Sequence, residues 1–180
     1  SIYLYERTVG MPGADGVRRQ CGYFARLRLE AFSADSGILP GDESSSGAAE
    51  DRYRLLRATG VNTSPVIGLY DDAGHRTEGR IAALSDRHAD IDLVDEAGVR
   101  HRVWAVPADG EGEPAAAVAS LLEPAAAGPI TIAAGRDVYE TALRYRDERR
   151  MSRSCEEDPA FDYLLTLFLE RADLTLDPTA

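Results

Sequence analysis

Apolar and polar residues alternate in several short segments of the chain, and this period of two is typical of β-strands with one buried face. In the segment 23–29 the alternating polar residues are arginines, which should face water. The segments 65–70 and 129–133 are mostly apolar and predict buried strands. The short turn 95–98 predicts that the strands on either side of it form a hairpin. The predicted strands cover residues 2–5, 23–29, 65–70, 90–94, 99–106 and 129–133, with a further strand starting at 174.

Helical spacing of apolar residues, together with start and stop signals, predicts five helices. These helices cover residues 49–59, 81–84, 114–122, 137–150 and 159–171. In the first helix, Tyr53, Leu55 and Leu56 should face the core. Asp158 is in position to cap the last helix, which carries an apolar face of Phe161, Leu164, Leu165 and Phe168. This mixture of elements predicts one α+β domain over residues 1–180, in which a mixed sheet with a hairpin packs against helices.

The composition narrows the chemistry that this chain can perform. With 180 residues and 44% apolar content, it can bury a core without a metal or a disulfide. Its formal net charge is −11, and all 20 basic residues are arginine. The absence of lysine excludes a Walker-type phosphate loop, a pyridoxal Schiff base and a covalently carried biotin or lipoyl group. The acidic balance also argues against nucleic acid as a partner, because that contact requires a basic face.

The residues suited to redox, metal or membrane chemistry are few. Two cysteines, Cys21 and Cys155, are too few for a disulfide framework. Free, unreactive thiols are typical of proteins in a reducing compartment, so we expect a cytoplasmic protein. The three histidines lack a short zinc-ligand spacing, which predicts that no metal is bound, and His101 is expected to be structural. No apolar run approaches the roughly 18 residues of a membrane span, so no membrane contact is expected.

The strongest local signal for chemistry is a turn at Gly135, between a predicted strand and a predicted helix. A helix start directs free backbone N–H groups and the positive end of the helix dipole to one point, which suits a phosphate. Gly135 would let the backbone approach the anion closely, and Arg136 would clamp it with a planar guanidinium. The alternative is that Asp137 already fills this position as a first-turn acid and cap. Spacing alone favours that alternative, because such turns are common.

A second group of candidate residues lies in 41–48, a segment rich in serine and glycine that is predicted to be a flexible loop. Its carboxylates Asp42 and Glu43 have the chemistry of a general base or of a metal ligand. Loop acids are usually just solvated, and nothing else in this loop favours a site. The arginine-rich segment 144–153 is predicted to be an exposed, salt-bridged helix end.

Four segments, in this order along the chain, resemble a known protein family. They are Arg-Tyr-Arg-Leu-Leu-Arg-Ala-Thr at 52–59, Ser-Pro-Val-Ile-Gly-Leu-Tyr-Asp at 64–71, His-Arg-Val-Trp at 101–104, and residues 132–146 with Tyr-Glu-Thr-Ala-Leu at their centre. The pattern resembles the uncharacterised prokaryotic family numbered ten-fifteen among the domains of unknown function, and it covers nearly the whole chain. Members of that family are longer at both ends, so the resemblance implies that this chain is a central fragment.

That family is in turn similar to the ParB/sulfiredoxin superfamily, which includes nucleotide hydrolases and free-serine kinases. The shared element is Gly-x-His-Arg at a helix start, where it holds nucleotide phosphates, and the family's version is Ala-Asp-Gly-His-His-Arg-Tyr-Glu. Residues 133–140 here read Ala-Ala-Gly-Arg-Asp-Val-Tyr-Glu, so Gly135 is kept while the aspartate, both histidines and the arginine are replaced. A second family pattern, Pro-His-Glu-x-Thr, whose glutamate resembles the kinases' catalytic acid, appears at 40–44 as Pro-Gly-Asp-Glu-Ser. The resemblance argues against sulfiredoxin-type repair, because Arg136 stands where that motif requires a cysteine.

The resemblance therefore implies a ParB/sulfiredoxin-like fold in which both chemical motifs have degenerated together. The first hypothesis is a pseudoenzyme, a module that binds a small molecule or a protein partner without turnover. The alternative is a divergent nucleotide-dependent phosphotransferase, acting on free serine or another small molecule, or a nucleotide hydrolase. In that case ATP or ADP with Mg²⁺ is the cofactor, Gly135 and Arg136 hold phosphate, and Asp42 or Glu43 is the general base. A DNA-bridging role ranks third, against the charge of −11, and the substrate, partner and oligomeric state stay open.

Overall fold

Eight strands of the described residues form one mixed sheet, which together with the helices confirms the α+β class. The computed structural model describes residues 1–10, 17–33, 35–41, 49–108, 112–152 and 157–173. The strands are β1 (Ile2–Gly10), β2 (Val17–Arg28), β3 (Ile38–Pro40), β4 (Val66–Tyr70), β5 (Ile91–Val94), β6 (Arg100–Val106), β7 (Ile130–Ala134) and β8 (Tyr163–Glu170). The α-helices of these residues are α1 (Ala49–Thr59), α2 (Arg76–Leu84), α3 (Glu113–Ala127) and α4 (Arg136–Ser152). The strand order in the sheet is β3-β7-β4-β8-β2-β1-β6-β5.

The chain divides into two compact units. The first unit consists of Ser1–Ala25, Tyr70–Gly128 and Phe168–Ala180. The second unit consists of Arg26–Leu69 and Pro129–Leu167. The helices α2 and α3 therefore belong to the first unit, while α1 and α4 belong to the second.

In the first unit, β2, β1, β6 and β5 are antiparallel neighbours in the sheet, and the first three carry the core on one face. Tyr3 of β1 is opposite Phe24 of β2, while Tyr5 is opposite Val103 of β6, which in turn is opposite Ile91 of β5. Because side chains alternate between the two faces of a sheet, one face of β2, β1 and β6 holds the buried side chains, whereas the residues of the edge strand β5 are all exposed. The buried side chains of that face are Ile2, Leu4, Glu6, Cys21, Tyr23, Trp104 and Val106. Buried side chains of α2 and α3 belong to the same core, namely Ile81, Val118, Leu121 and Ala125.

In the second unit, the short strand β3 runs parallel to β7, and β4 runs antiparallel to β7 on its other side. Ile38 is opposite Ile130 and Pro40 is opposite Ile132, which also pairs with Gly68 of β4. The helices α1 and α4 pack against each other. The buried apolar side chains of this unit are Leu27, Leu29, Ile38, Tyr53, Val66, Leu69, Ile130, Ile132, Tyr139, Ala142, Leu164 and Leu167.

The prediction of a final helix at 159–171 is wrong, because most of that segment is strand β8. A single 3₁₀ turn, Ala160–Asp162, precedes the strand, which begins at Tyr163. The strand is buried on both sides along most of its length, so it lacks the alternation that identifies a half-buried strand. A short apolar run of this kind cannot be distinguished from a helix by periodicity, and Asp158 followed by Pro159 imitates a helix start. In the structure Asp158 instead accepts a hydrogen bond from the Tyr163 hydroxyl.

Most other predicted elements are present with shifted ends. The helix α2 begins at Arg76 and not at residue 81, and the short strand β3 was not predicted. Tyr53 is buried as predicted, but Leu55 is 46% exposed, so its inward orientation is wrong. Cys155 and the predicted strand start at 174 lie outside the described residues. None of the helices in the described part of the chain combines the length and apolar character needed to cross a membrane.

Candidate functional site

The turn at Gly135 joins β7 to α4 in the second unit, where the sequence predicts a strand–helix junction. Its backbone φ is +81°, in the left-handed region that favours glycine. A Cβ atom here would lie 3.1 Å from Cγ1 of Val66 on β4, which is tighter than ordinary van der Waals contact. The Gly135 carbonyl accepts a hydrogen bond from the Tyr139 N–H at 2.9 Å, which closes the first turn of α4. Backbone conformation and packing against Val66 therefore account for this glycine without a ligand.

Arg136 is the first residue of α4, and its guanidinium is already engaged. Its Nε donates a hydrogen bond to Oε1 of Glu140 at 2.9 Å, one helical turn later. Its Cζ also lies 5.9 Å from the ring centre of Phe32. The group thus lies along its own helix, and clamping an anion would require breaking the pair with Glu140.

Asp137, the next residue of α4, forms an ion pair with Arg52 of α1. The side chain of Asp137 is 14% exposed and that of Arg52 is 45% exposed. The first-turn acid is therefore held in place by the neighbouring helix, and it contributes a negative charge at the position proposed for phosphate. An anion at this helix start would be repelled by the Asp137 carboxylate. Arg52 neutralises that carboxylate but adds no net positive charge to the site.

A small cavity lies beside the start of α4 in the second unit. Its volume is about 40 Å³, and its lining includes Arg52, Asn62, Ser64 and Val138. A cavity of this size holds a few water molecules at most, whereas pockets for drug-sized ligands measure about 300–1,000 Å³. Within the described residues, this cavity therefore has no room for a nucleotide.

The parallel pairing of β3 with β7 brings the start of the second predicted motif to the same end of the sheet. Pro40 is opposite Ile132, and a Cβ atom at Gly41 would collide with the carbonyl group of Ile132. The chain that leaves β3 thus starts beside the strand that leads into Gly135. Asp42 and Glu43 follow directly, but they lie outside the described residues, as does the rest of the predicted loop to residue 48.

The arginine-rich end of α4 takes part in packing the second unit. Arg150 donates two hydrogen bonds to the carboxylate of Asp162, one of them 2.8 Å long, and the Asp162 side chain is 2% exposed. Glu148 accepts a hydrogen bond from the Tyr53 hydroxyl, and Arg144 lies over that ring with its Cζ 3.5 Å from the centre. Salt bridges were predicted here, but a buried acid was not, because Asp162 reaches Arg150 only through folding.

A histidine and a buried glutamate meet in the first unit, an arrangement that the sequence analysis missed. Nδ1 of His75 lies 2.9 Å from Oε1 of Glu170. The Glu170 side chain is 4% exposed, and a buried carboxylate requires hydrogen-bond partners such as this imidazole. His75 precedes the first residue of α2 with a backbone φ of +46°, a conformation that histidine adopts more readily than most residues. The turn residues Asp-Asp-Ala-Gly at 71–74 are the sequence signal that could have identified this bend.

Two further carboxylates of the first unit are buried by the fold. Glu6 accepts hydrogen bonds from the guanidinium groups of Arg19 and Arg102. Burial raises the pKa of Glu6, but the two arginines outweigh that effect and hold the pKa below its ordinary value of 4.5. Asp72 accepts hydrogen bonds from the N–H and the hydroxyl of Thr77, both 2.8 Å long. Burial raises the pKa of Asp72 as well, and these bonds lower it below its ordinary value. Glu6 of β1 thus links β2 and β6 through Arg19 and Arg102, while Asp72 stabilises the start of α2.

His101 of β6, which was predicted to be structural, contacts two side chains of the first unit. Nδ1 of His101 lies 2.8 Å from the Tyr5 hydroxyl, and its Nε2 lies 3.1 Å from Oδ2 of Asp95. Both ring nitrogens are therefore engaged by the hairpin and by β1, which gives His101 a structural role. Across the described segments, no three histidine, cysteine, aspartate or glutamate side chains are grouped so that they could hold a metal ion.

Comparison with known proteins identifies the family of this chain. Residues 1–180 match the family model described as "Protein of unknown function (DUF1015)". No curated protein and no solved structure gives a significant match. The family match spans the strand, turn and helix around Gly135 and all four segments on which the resemblance rested. The chain therefore belongs to the DUF1015 family of proteins of unknown function.

Proposed function

We propose that this chain is a ligand- or partner-binding module, a pseudoenzyme with a ParB/sulfiredoxin-like fold that no longer performs phosphate chemistry. One observation carries the proposal. Both charged side chains at the start of α4 are already paired within the second unit, Arg136 with Glu140 and Asp137 with Arg52. A helix start that holds a phosphate needs free N–H groups and an uncommitted cation.

Two effects oppose phosphate at this helix start, and their sizes differ. Releasing Arg136 from Glu140 is cheap, because an exposed pair one helical turn apart contributes only about 0.3–0.5 kcal/mol. The carboxylate of Asp137 matters more, since two like charges about 4 Å apart repel by roughly 4 kcal/mol at an effective dielectric constant near 20. Arg52 offsets part of this repulsion but is itself neutralised by Asp137. The aspartate is therefore the main obstacle to an anion.

A nucleotide panel tests the proposal. Millimolar ATP, ADP or CTP with Mg²⁺ should leave the melting temperature unchanged, and calorimetry should detect no binding heat. Incubation of the protein with ATP and serine, or with other hydroxyl compounds, should yield no product. Asp137→Asn should permit weak nucleotide binding because the repelling charge is removed. Asp147→Asn removes an exposed acid of the same helix and is the matched control, which should not bind nucleotide.

Measured turnover of ATP by the wild-type chain would contradict the pseudoenzyme proposal. If the wild-type chain converts ATP and the activity disappears in Glu43→Gln, the proposal is wrong and the Glu43 carboxylate is catalytic. Nucleotide binding by the wild type that is as tight as that of Asp137→Asn would likewise contradict the argument from Asp137.

A divergent phosphotransferase or nucleotide hydrolase is the second candidate, and one observation favours it. The parallel register of β3 and β7 starts the chain after Gly41 beside the strand that leads to Gly135. The two degenerate motifs thus begin at one end of the sheet, as a phosphate site with a general base requires. In this case Arg136→Ala should weaken ATP binding about 10- to 150-fold, the scale of a charged hydrogen bond. Arg54→Ala, which removes an exposed arginine of α1, is the control, and wild-type affinity in Arg136→Ala would exclude this site.

The proposed module binds a small molecule or a protein in the cytoplasm. The cytoplasmic location follows from a cysteine content that suits a reducing compartment. The net charge of −11 disfavours a nucleic-acid partner, because phosphate contacts require an excess of free cations. Cofactor use is confined to the second candidate, in which ATP or ADP binds with Mg²⁺.

A further inference from the structure

The antiparallel strands of the first unit have a second face, opposite the buried one. Residues that are opposite each other in an antiparallel ladder point to the same side of the sheet, so the register shows which side chains share this face. Six apolar side chains of β1, β2, β5 and β6 are neighbours there, and we call them the aromatic sheet face: Tyr3, Tyr5, Phe24, Ile91, Leu93 and Val103.

The aromatic sheet face is open to solvent at both of its ends. Tyr3 is 47% exposed, Ile91 is 51% exposed and Leu93 is 48% exposed. The rings of Tyr5 and Phe24 contact each other across β1 and β2, with their centres 5.5 Å apart, so the apolar surface is continuous. The solvated face of an antiparallel sheet normally carries polar residues. A continuous apolar patch in their place marks an interaction site.

Arg7 bounds this face, and it has no carboxylate partner among the described residues. Arg7 occupies the next outward position of β1 after Tyr5, and it is opposite His101 of β6. Other arginines of the first unit do have a described carboxylate oxygen within 4.0 Å, among them Arg19, Arg76, Arg80, Arg87, Arg100, Arg102 and Arg171. Arg7 has no such partner among the described residues. The carboxylate nearest to this row, that of Asp95, is already engaged by Nε2 of His101, so the guanidinium of Arg7 is the group on this face that could pair with a partner's carboxylate.

We propose that the aromatic sheet face binds a protein segment that presents apolar side chains together with a carboxylate, which pairs with Arg7. This inference rests on the proposed function as a partner-binding module and names the chemistry of the partner. The apolar contacts would supply most of the binding energy, because burial of apolar surface is the main favourable term in association. The pair with Arg7 would set the orientation of the segment, which is the usual contribution of a charge at the rim of an interface.

Two other occupants suit this face less well. Single-stranded nucleic acid also stacks on exposed aromatic rings, but it needs a groove of free cations along its backbone. The seven paired arginines and the net charge of −11 do not provide one. A second copy of the chain would bring two net charges of −11 together, which opposes self-association, whereas the proposed segment needs only one carboxylate, placed at Arg7.

Titration with short synthetic peptides, followed by nuclear magnetic resonance, tests the proposal. The probe is acetyl-Leu-Glu-Leu-Glu-Leu-Glu-amide, and in the control peptide each glutamate is replaced by lysine. The acidic peptide, and not the lysine peptide, should shift the backbone amides of Tyr3, Arg7 and Ile91. Arg7→Gln should weaken the acidic peptide about two- to fivefold, the scale of one partly exposed ion pair. Arg87→Gln is the matched control, because that arginine already pairs with Asp90, and it should have no effect.

A second variant separates apolar contact from charge. Tyr3→Ser should weaken the acidic peptide while the melting temperature stays unchanged, since Tyr3 is half exposed. The proposal is overturned if the acidic peptide at millimolar concentration leaves the amides of this face unshifted. It is also overturned if the lysine peptide or oligodeoxythymidine binds the face at least as tightly. Sedimentation that shows a dimer, dissociated by Tyr3→Asp, would assign the face to a second copy instead.

The two sets of experiments distinguish a failure of this docking surface from a failure of the proposed function. ATP turnover that depends on Glu43 would refute the pseudoenzyme and would leave the peptide titration unchanged. A failed peptide titration, with the nucleotide panel still negative, would refute the docking surface alone.

Discussion

The Nε atom of Arg136 lies 2.9 Å from Oε1 of Glu140, so the first cation of α4 is paired within its own helix. The adjacent carboxylate of Asp137 is paired with Arg52 of α1. The helix start that most resembles a phosphate site is therefore neutralised by the second unit itself. The effect of each pair on anion binding can be measured.

Asp137→Asn should increase affinity for inorganic pyrophosphate more than Glu140→Ala does. Releasing Arg136 gains at most about 0.5 kcal/mol, which is roughly a twofold change in affinity. Removing the Asp137 charge lifts a repulsion of roughly 4 kcal/mol before screening, so a gain of tenfold or more is expected. Calorimetry on the two variants checks this order. Tighter binding by Glu140→Ala would show that the Arg136 pair is the obstacle.

Gly135→Ala should destabilise the protein more than Gly98→Ala. Both glycines have a positive φ, +81° at Gly135 and +78° at Gly98, and forcing alanine into that region costs about 1–2 kcal/mol. A Cβ atom at Gly135 also meets Val66 at 3.1 Å, whereas at Gly98 it meets nothing within 4 Å. Urea unfolding should show the difference, and Val66→Ala should recover part of the loss in Gly135→Ala. Equal losses in the two single variants would mean that the contact with Val66 is unimportant.

Arg150→Ala should lower the free energy of unfolding by about 3 kcal/mol, because removing one partner leaves a buried charge uncompensated. The carboxylate that loses its partner is that of Asp162, whose side chain is 2% exposed. The other arginine near it is Arg28, whose guanidinium nitrogen lies 3.9 Å from Oδ2 of Asp162. Arg54→Ala, which breaks an exposed pair with Glu50, is the control and should cost less than about 1 kcal/mol. Chemical denaturation of both variants makes the comparison. Similar losses would show that Asp162 is adequately solvated or paired without Arg150.

The free energy of unfolding should decrease as the pH falls below about 5, and Glu6 should account for part of the decrease. The pKa of Glu6 in the folded chain is lower than its ordinary value of 4.5. The unfolded chain therefore takes up a proton before the folded chain does, and the stabilisation present at neutral pH is lost as the pH passes through the folded pKa. Glu6→Gln should flatten this dependence in urea unfolding between pH 7 and pH 3. Glu123→Gln, an exposed acid of α3, is the control, and an equal flattening by both variants would argue against Glu6.

Asp72→Ala should destabilise the first unit by about 1–2 kcal/mol, the usual cost of losing a residue that caps a helix. Its Oδ2 accepts hydrogen bonds from the backbone N–H groups of Arg76 and Thr77 at 2.7 and 2.8 Å, so the first turn of α2 depends on it. Asp71→Ala is the neighbouring control, because Asp71 makes an exposed ion pair with Arg171. Thermal unfolding of the two variants should separate them clearly. A larger loss in Asp71→Ala would contradict the capping role of Asp72.

The junction at Gly135 was predictable because a strand pattern ends there and a helix pattern begins, and both are local signals. Glu140 is also visible in the sequence as the residue one turn after Arg136. Arg52 is not, because it belongs to another helix and meets Asp137 only when α1 and α4 pack. The roles of Asp42 and Glu43 stay predictions, since both lie outside the described residues.

By itself the sequence determined the α+β class, the hairpin and most helices, because apolar periodicity and turn residues act over a few neighbouring positions. It did not determine β8, since a strand buried on both sides has no alternation and its identity depends on what covers it. The tertiary structure also decided which charges are free. Every arginine carries the same charge in the sequence, yet folding brings a carboxylate to Arg150 and brings none, among the described residues, to Arg7. That difference depends on distances between remote segments, which only the folded chain defines.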